Sequence, residues 1–375
     1  MLNRQKLAQK LNAISNSLFI DTSHEKEIAY ESWQRLVQDP LLREKVKKID
    51  APWLIPDWQG ALNETHLIEP ITTPYGALAV DGSQVYPDRH EGIGCFLINI
   101  GVAHIAYGSP AGVYFSSDPT VFTSFNEDDI EAESPHDLVN CLRQELELQA
   151  TVHASSTARQ LFGQMPLLVL CDGSLVFWHL ESKGPYLRDR FLGSYIHALE
   201  QLYQQKTLNA GYISLPKSKE LVNLIRLELC NFEPLECVAH KQIKHLLDAM
   251  VARFFLTPGM RSNVFKSTAT ICNYYPEHLT PYFFYLDVGS EIARVEVPQW
   301  IASDDQLTSQ VAALMLDQAH KGRGYPLALA ESHEQAVVKG PDREFFYLML
   351  SKMSVTHKRS RMISPKSSRK RGMGI

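Results

Sequence analysis

The segments ALAVDGS (77–83) and LLVLCDGS (167–174) end two aliphatic runs in the same tripeptide, with Asp81 and Asp172 set 91 positions apart. An unbroken aliphatic run suits a strand buried on both faces, whereas a strand with one wet face alternates. A sheet buried on both sides needs helices to cover it, so this feature directs the chain to an α/β architecture. Each aspartate is expected where its strand emerges, and ligand sites of α/β sheets gather at strand ends. Gly82 and Gly173 permit tight turns, and Ser83 and Ser174 can hydrogen-bond a carboxylate or the local backbone. Asp-Gly is also a common turn dipeptide, so two plain turns and two carboxylates serving one site both fit the pattern.

The flanking segments support the same class. Helical spacing occurs at 3–19 (Leu7, Leu11, Ile14, Leu18) and 24–38 (Ile28, Trp33, Leu36), and strand character at 94–107 and 113–122. The acidic segment 126–134 reads as a surface loop, and Pro135 opens a helix over 136–162. Further helical patterns lie at 188–205, 217–228, 238–254, 305–320 and 342–352. Residues 268–300 read as a β-meander of TATICNYY, PYFFYLDVG and IARVEVPQW. The expected organisation is an N-terminal helical extension (1–70), a central domain (71–353) and a basic flexible tail (354–375).

Of the 375 residues, 45% are hydrophobic and 21% charged, an ordinary soluble composition. The longest apolar stretch, 92–108, is interrupted by Asn99 and His104 and falls short of the ~20 residues a spanning helix needs. The N-terminus lacks the apolar core of a signal peptide, which points to a cytoplasmic protein without a membrane anchor. Six cysteines without a CxxC pair read as buried thiols and not as a zinc site. Eight of the 37 basic side chains lie between Lys352 and the end, where no Asp or Glu occurs, leaving 29 against 42 acidic groups elsewhere. A basic tail on an acidic body fits a polyanion partner, self-association or a solubilising tail equally well.

Two further segments can carry chemistry. The helix before Asp172 bears Asp137, Glu145 and Glu147, with Leu138, Leu142 and Leu146 as its apolar stripe. Arg143 and Glu147 are i,i+4 neighbours that a solvated ion pair would explain, and spacing alone selects neither glutamate. In GYPLALAESHEQAVV (324–338), Pro326 suits a first helical turn, and Ala330, His333 and Val337 share a face. A histidine on such a stripe is either a satisfied core residue or a ligand.

Taken in order, VDGS at Asp81, R-x-x-x-E at Arg143 to Glu147, DGSL at 172–175 and GYP…H from Tyr325 to His333 resemble the NurA nuclease family. The resemblance covers about residues 75–340. It implies an α/β RNase H-like (Piwi-like) mixed sheet flanked by helices, and a Mn²⁺-dependent DNA nuclease, with Mg²⁺ also possible, that works with a HerA-type hexameric translocase on broken DNA ends. A homodimer is implied as well. Position by position, the family's carboxylates fall on Asp81, Glu147 (or Glu145) and Asp172, and its tyrosine and histidine on Tyr325 and His333. Asp81, Glu147, Asp172 and His333 would hold metal, Tyr325 would position the phosphate or His333, and Ser83 and Ser174 would support them. Arg188, Arg190, Arg323 and the tail are candidate phosphate contacts.

Two other readings stand beside this one. A haloacid-dehalogenase-like phosphohydrolase would need a second Asp two residues after the first, where Ser83 and Ser174 stand. A NurA-like scaffold that cuts nothing would not need all these positions filled.

Overall fold

The computed structural model describes residues 2–15, 20–87, 95–123, 125, 134–163, 165–234 and 241–356. Most of the acidic 126–134 segment and the tail beyond residue 356 lie outside the described residues. Eleven strands among these residues form one mixed sheet. They are β1 (Asp57–Trp58), β2 (Thr65–Leu67), β3 (Tyr75–Val85), β4 (Phe96–Tyr107), β5 (Val113–Phe122), β6 (Leu167–Asp172), β7 (Leu208–Ile213), β8 (Met260–Ser262), β9 (Phe265–Lys266), β10 (Pro281–Asp287) and β11 (Ile292–Pro298). The order is β1-β9-β10-β11-β7-β6-β3-β4-β5, with β2 and β8 attached beside β10. The centre, β3-β6-β7, is parallel, and antiparallel strands extend it on both sides.

Both faces of the centre are covered, as the aliphatic runs require. Ala77 and Ala79 of β3, with Leu168 and Leu170 of β6, pack toward the Asp305–Lys321 and Leu327–Ala336 helices through Met315, Ala328 and Leu329. The alternate residues Leu78, Val80, Leu167 and Val169 pack against Val139, Ala154 and Ala158 of the Pro135–Phe162 helix. Strand side chains alternate between faces, so one run supplies both layers. Ser134 caps the Pro135–Phe162 helix, its Oγ accepting from the Asp137 amide at 3.3 Å. The Ser23–Gln38 helix buries Ala29, Trp33 and Leu36 in a second core with Leu221, Leu224 and Phe255, where Trp33 and Phe255 stack at 5.3 Å.

Several local expectations change. Residues 270–274 form a 3₁₀ helix and not the first strand of a meander. The β-favouring residues Ile271, Cys272 and Tyr275 there fill a core with the Pro185–Gln204 helix instead of pairing with a strand. Strand β7 has no counterpart in the sequence reading, because Asn209 and Gly211 weaken its β character. Gly211 is required by its neighbour: a Cβ there would lie 2.4 Å from the Gly173 carbonyl oxygen. Within the described part of 238–254 the α-helix is confined to Asp248–Ala252. Cys95, Cys141, Cys171 and Cys272 are free thiols, but Cys230 is disulfide-bonded. Among the described residues no helix is long and apolar enough to cross a membrane.

Candidate active site

Strands β3 and β6 pair from Gly76–Leu167 to Ala79–Leu170. That register is the same 91-residue offset that separates the two aspartates, so Asp81 and Asp172 stand at one level, two residues beyond the last pair. Alternation places both on the face of Ala77, Ala79, Leu168 and Leu170. The two Asp-Gly-Ser phrases are nevertheless unlike. Strand β6 ends at Asp172, and Gly173 turns the chain with φ of 112°. Strand β3 continues to Val85, paired with β4 throughout, so Asp81 lies within a strand and not at its end.

Where pairing between β3 and β6 stops, a cavity of about 300 Å³ opens, lined by Val80, Asp81, Arg143, Glu147, Cys171 and Asp172 among others. These residues come from both faces of the sheet, so the gap joins the two sides. Gly82 lets the Pro135–Phe162 helix close on this gap. A Cβ on Gly82 would lie 2.6 Å from Glu147 Oε1 and 2.9 Å from Arg143 Cγ. Arg143 Nη1 donates to Glu147 Oε1 (2.5 Å) and to the Gly82 carbonyl (3.0 Å). Glu145 does not line the cavity; its charge acts on Tyr195 of the Pro185–Gln204 helix.

Burial pushes the Glu147 carboxyl from 4.5 up to about 8; Arg143 opposes the shift, while the negative charges of Asp81 and Asp172 add to it. The folded state therefore holds a proton that the unfolded state has released between about pH 4.5 and 8. Stability from this group is complete below that window and falls as pH rises through it, by at most about 1.4 kcal/mol per unit. Thermal melts in chelator at pH 5 and 8 should show a drop in the parent that Glu147→Gln largely removes. An equal drop in both proteins would contradict this account.

On the other face, Asp81 Oδ2 lies 2.8 Å from His333 Nδ1, and Asp81 Oδ1 accepts from the Gly82 amide at 2.8 Å. The imidazole is 59% exposed. The helix buries Ala328, Leu329, Ser332 and Ala336, so His333 flanks the packed face and the Ala330–His333–Val337 face is not the core stripe. The Tyr325 hydroxyl donates to Asp172, and its ring meets Tyr212 edge-on at 5.6 Å. Partial burial raises the Asp172 carboxyl, with Asp81 adding to the shift and the Tyr325 hydrogen bond, His333 and Arg143 opposing it.

The serines serve backbone and neighbours instead of the carboxylates. Ser83 Oγ donates to the Ala336 carbonyl (2.5 Å) and accepts from the Val338 amide (3.0 Å). Asn99 Nδ2 donates to the same carbonyl (2.7 Å), and Ser117 donates to Asn99 Oδ1 (2.9 Å). This polar row across β3, β4 and β5 holds the end of the helix that carries His333. Ser174 Oγ and the Leu175 amide both donate to Glu296 Oε2, at 2.7 and 2.8 Å. Glu296 is buried and paired with Arg294, which also binds Glu220. Asn99 and Glu296 escaped the sequence reading. Their signal was a polar side chain inside an apolar strand: Asn99 in the 92–108 stretch, and Arg294 and Glu296 in IARVEVP.

Asp81, Glu147, Asp172, Tyr325 and His333 are thus brought together, and Glu145 is not. Among the described residues no three His, Cys, Asp or Glu side chains are grouped as a ready metal site. Each carboxylate is instead engaged by a protein partner: Asp81 by His333, Glu147 by Arg143, Asp172 by Tyr325. The donor chemistry still fits a hard cation, because three carboxylates border one cavity and burial with mutual repulsion leaves Glu147 underneutralised.

A helix-covered mixed sheet with aspartates level on two parallel central strands defines an α/β protein whose site lies at the gap between those strands. The model of the NurA domain matches residues 76–338, and the chain belongs to the NurA family. The NurA nuclease from Sulfolobus solfataricus shares the fold, with 16% identity and a TM-score of 0.51 over 95% of this chain and 98% of that one. The catalytic domain of human endonuclease V aligns over 82% of this chain and 94% of that one, at 14% identity and a TM-score of 0.34. A type 1 RNase H aligns over 49% of this chain and 87% of that one, at 10% identity and a TM-score of 0.22. No curated protein sequence matches the chain.

Proposed function

We propose that this protein is a divalent-metal-dependent nuclease that hydrolyses phosphodiester bonds in DNA. The observation that carries the reading is the level placement of Asp81 and Asp172 with Glu147 around one cavity. Asp81, Glu147 and Asp172 would hold Mn²⁺ or Mg²⁺, with His333 as a further ligand. A cation held there relieves charge on the phosphate and lowers the pKa of an attacking water. Oxygen donors suit either ion, and imidazole favours Mn²⁺.

The chain's own groups supply the rest. Arg143 positions Glu147 by binding it and the Gly82 carbonyl together. With Nδ1–H donated to Asp81, His333 presents the lone pair of Nε2, which serves either as the further metal ligand or, where the carboxylates alone hold the ion, as the acceptor that takes a proton from water and returns one to the leaving oxygen. Tyr325 orients Asp172. DNA-end processing with a HerA-type translocase, and a homodimer, belong to this proposal on family resemblance.

The test is a cleavage assay on end-labelled single- and double-stranded DNA with chelator-stripped protein. Cleavage is expected on adding Mn²⁺ and none in chelator. Hydrolysis that persists at full rate in chelator, or folded protein that cuts no DNA with either ion, would overturn the reading.

A further inference from the structure

The cavity at the carboxylates does not end there. Ser174, two residues beyond Asp172, also borders a second cavity of about 440 Å³. This one shares Leu54 and Trp178 with a third, of about 650 Å³, that runs along residues 46–58. The three cavities adjoin one another at these shared residues.

The second cavity has a definite chemistry. Leu54, Trp178 and Pro216 give it apolar walls. Trp178 is held in place, its Nε1 donating to Ser174 Oγ at 3.2 Å. The buried, mutually paired Arg294 and Glu296 lie at its inner end, and Lys217 is exposed at its edge. Arg294 is taken up by Glu220 and Glu296, so the inner end offers a phosphate no free cation, while Lys217 and Lys219 stand exposed at the rim. A planar base presents a face that suits an indole and fits apolar walls, and the phosphates on either side of it can meet the rim lysines. The volume lies within the ~300–1,000 Å³ of small-ligand pockets. The two cavities meet at Ser174, so a strand seated at the carboxylates adjoins the second one.

We infer that the second cavity is a nucleobase subsite. It receives one unpaired base of the strand whose phosphodiester lies at Asp81, Glu147 and Asp172, with Trp178 as the stacking platform. This rests on the nuclease reading for its orientation. The site is specific for single-stranded substrate, because a paired base cannot leave its stack to enter it without unpairing.

The probe is a short single-stranded DNA oligonucleotide carrying one 2-aminopurine, titrated with the full chain in chelator so that no bond is cut. Walking the label along the strand should find a position where the parent protein quenches its fluorescence. Trp178→Ala should abolish that quenching and weaken binding about tenfold, and Trp178→Phe should restore both in part. Absence of quenching at every position in the parent overturns the subsite, as does a folded Trp178→Ala protein that quenches like the parent. The parent's quenching does not depend on any variant folding. A parallel Mn²⁺ cleavage assay separates the two readings. Quenching without hydrolysis sinks the nuclease and keeps the base site; hydrolysis without quenching sinks the base site alone.

Discussion

Asp172→Asn should yield a folded protein whose Mn²⁺-supported DNA hydrolysis is reduced by roughly 100-fold or more. Loss of partners that merely orient metal ligands costs about 10–100-fold, so removing a direct ligand should exceed that. Asparagine keeps the volume of the side chain and an oxygen for the Tyr325 hydroxyl, so the change is mainly one of charge. The same substitution should raise the melting temperature in chelator near neutral pH. Asp172 sits beside Asp81 with its carboxyl already raised, and neutralising one member of a repelling pair favours the folded state. Asp81→Asn should be as inactive, and it also weakens the anchor of His333. Glu145→Gln should cut at the parental rate, because Glu145 does not line the cavity. Initial rates with paired melting curves check all three, and a parental rate for Asp172→Asn would remove it from the site.

Gly101→Ala should badly damage the site's framework with a single methyl group. Gly101 is the cross-strand partner of Asp81. A Cβ on it would lie 2.3 Å from the Ala336 amide nitrogen and 2.5 Å from the Ser332 carbonyl oxygen. Both are backbone atoms of the His333 helix, so no rotamer change relieves the overlap and the helix must move off the sheet. Overpacking of this kind costs about 3 kcal/mol. It should also break the Ser83 and Asn99 bonds to Ala336 and separate His333 from Asp81. The expected result is a protein that melts several degrees lower and cuts DNA more slowly than its stability alone explains. A variant with the parental melting point would show that the helix does not rest on Gly101.

The aliphatic runs disclosed the covered sheet because burial on both faces leaves no other composition for a central strand. They also placed the two candidate aspartates level with one another: an offset of 91 in the sequence became the register of β3 on β6. The difference between the two phrases was not legible. Whether Asp-Gly-Ser turns or continues depends on whether a neighbouring strand follows it, and only β4 does so. The choice between Glu145 and Glu147 was hidden for a similar reason. A leucine stripe indicates which side of a helix is apolar, but the approach at Gly82 sets which residue meets the gap. Strand β7 was missed because Gly211 answers to the Gly173 carbonyl and not to local β preference.

Strands β3 and β6 have at least two strands on either flank, whereas β5 is a margin with Val113, Tyr114 and Val121 more than half exposed. Amide exchange through local opening should therefore be slowest at 77–80 and 168–170 and faster along 113–122. The His333 helix is tied partly to that margin, through Ser117 and Asn99. The site thus has a slow half and a quick half. Amides beside the aspartates should exchange only when the whole sheet opens, and those of the His333 helix sooner, as its hold on the margin loosens.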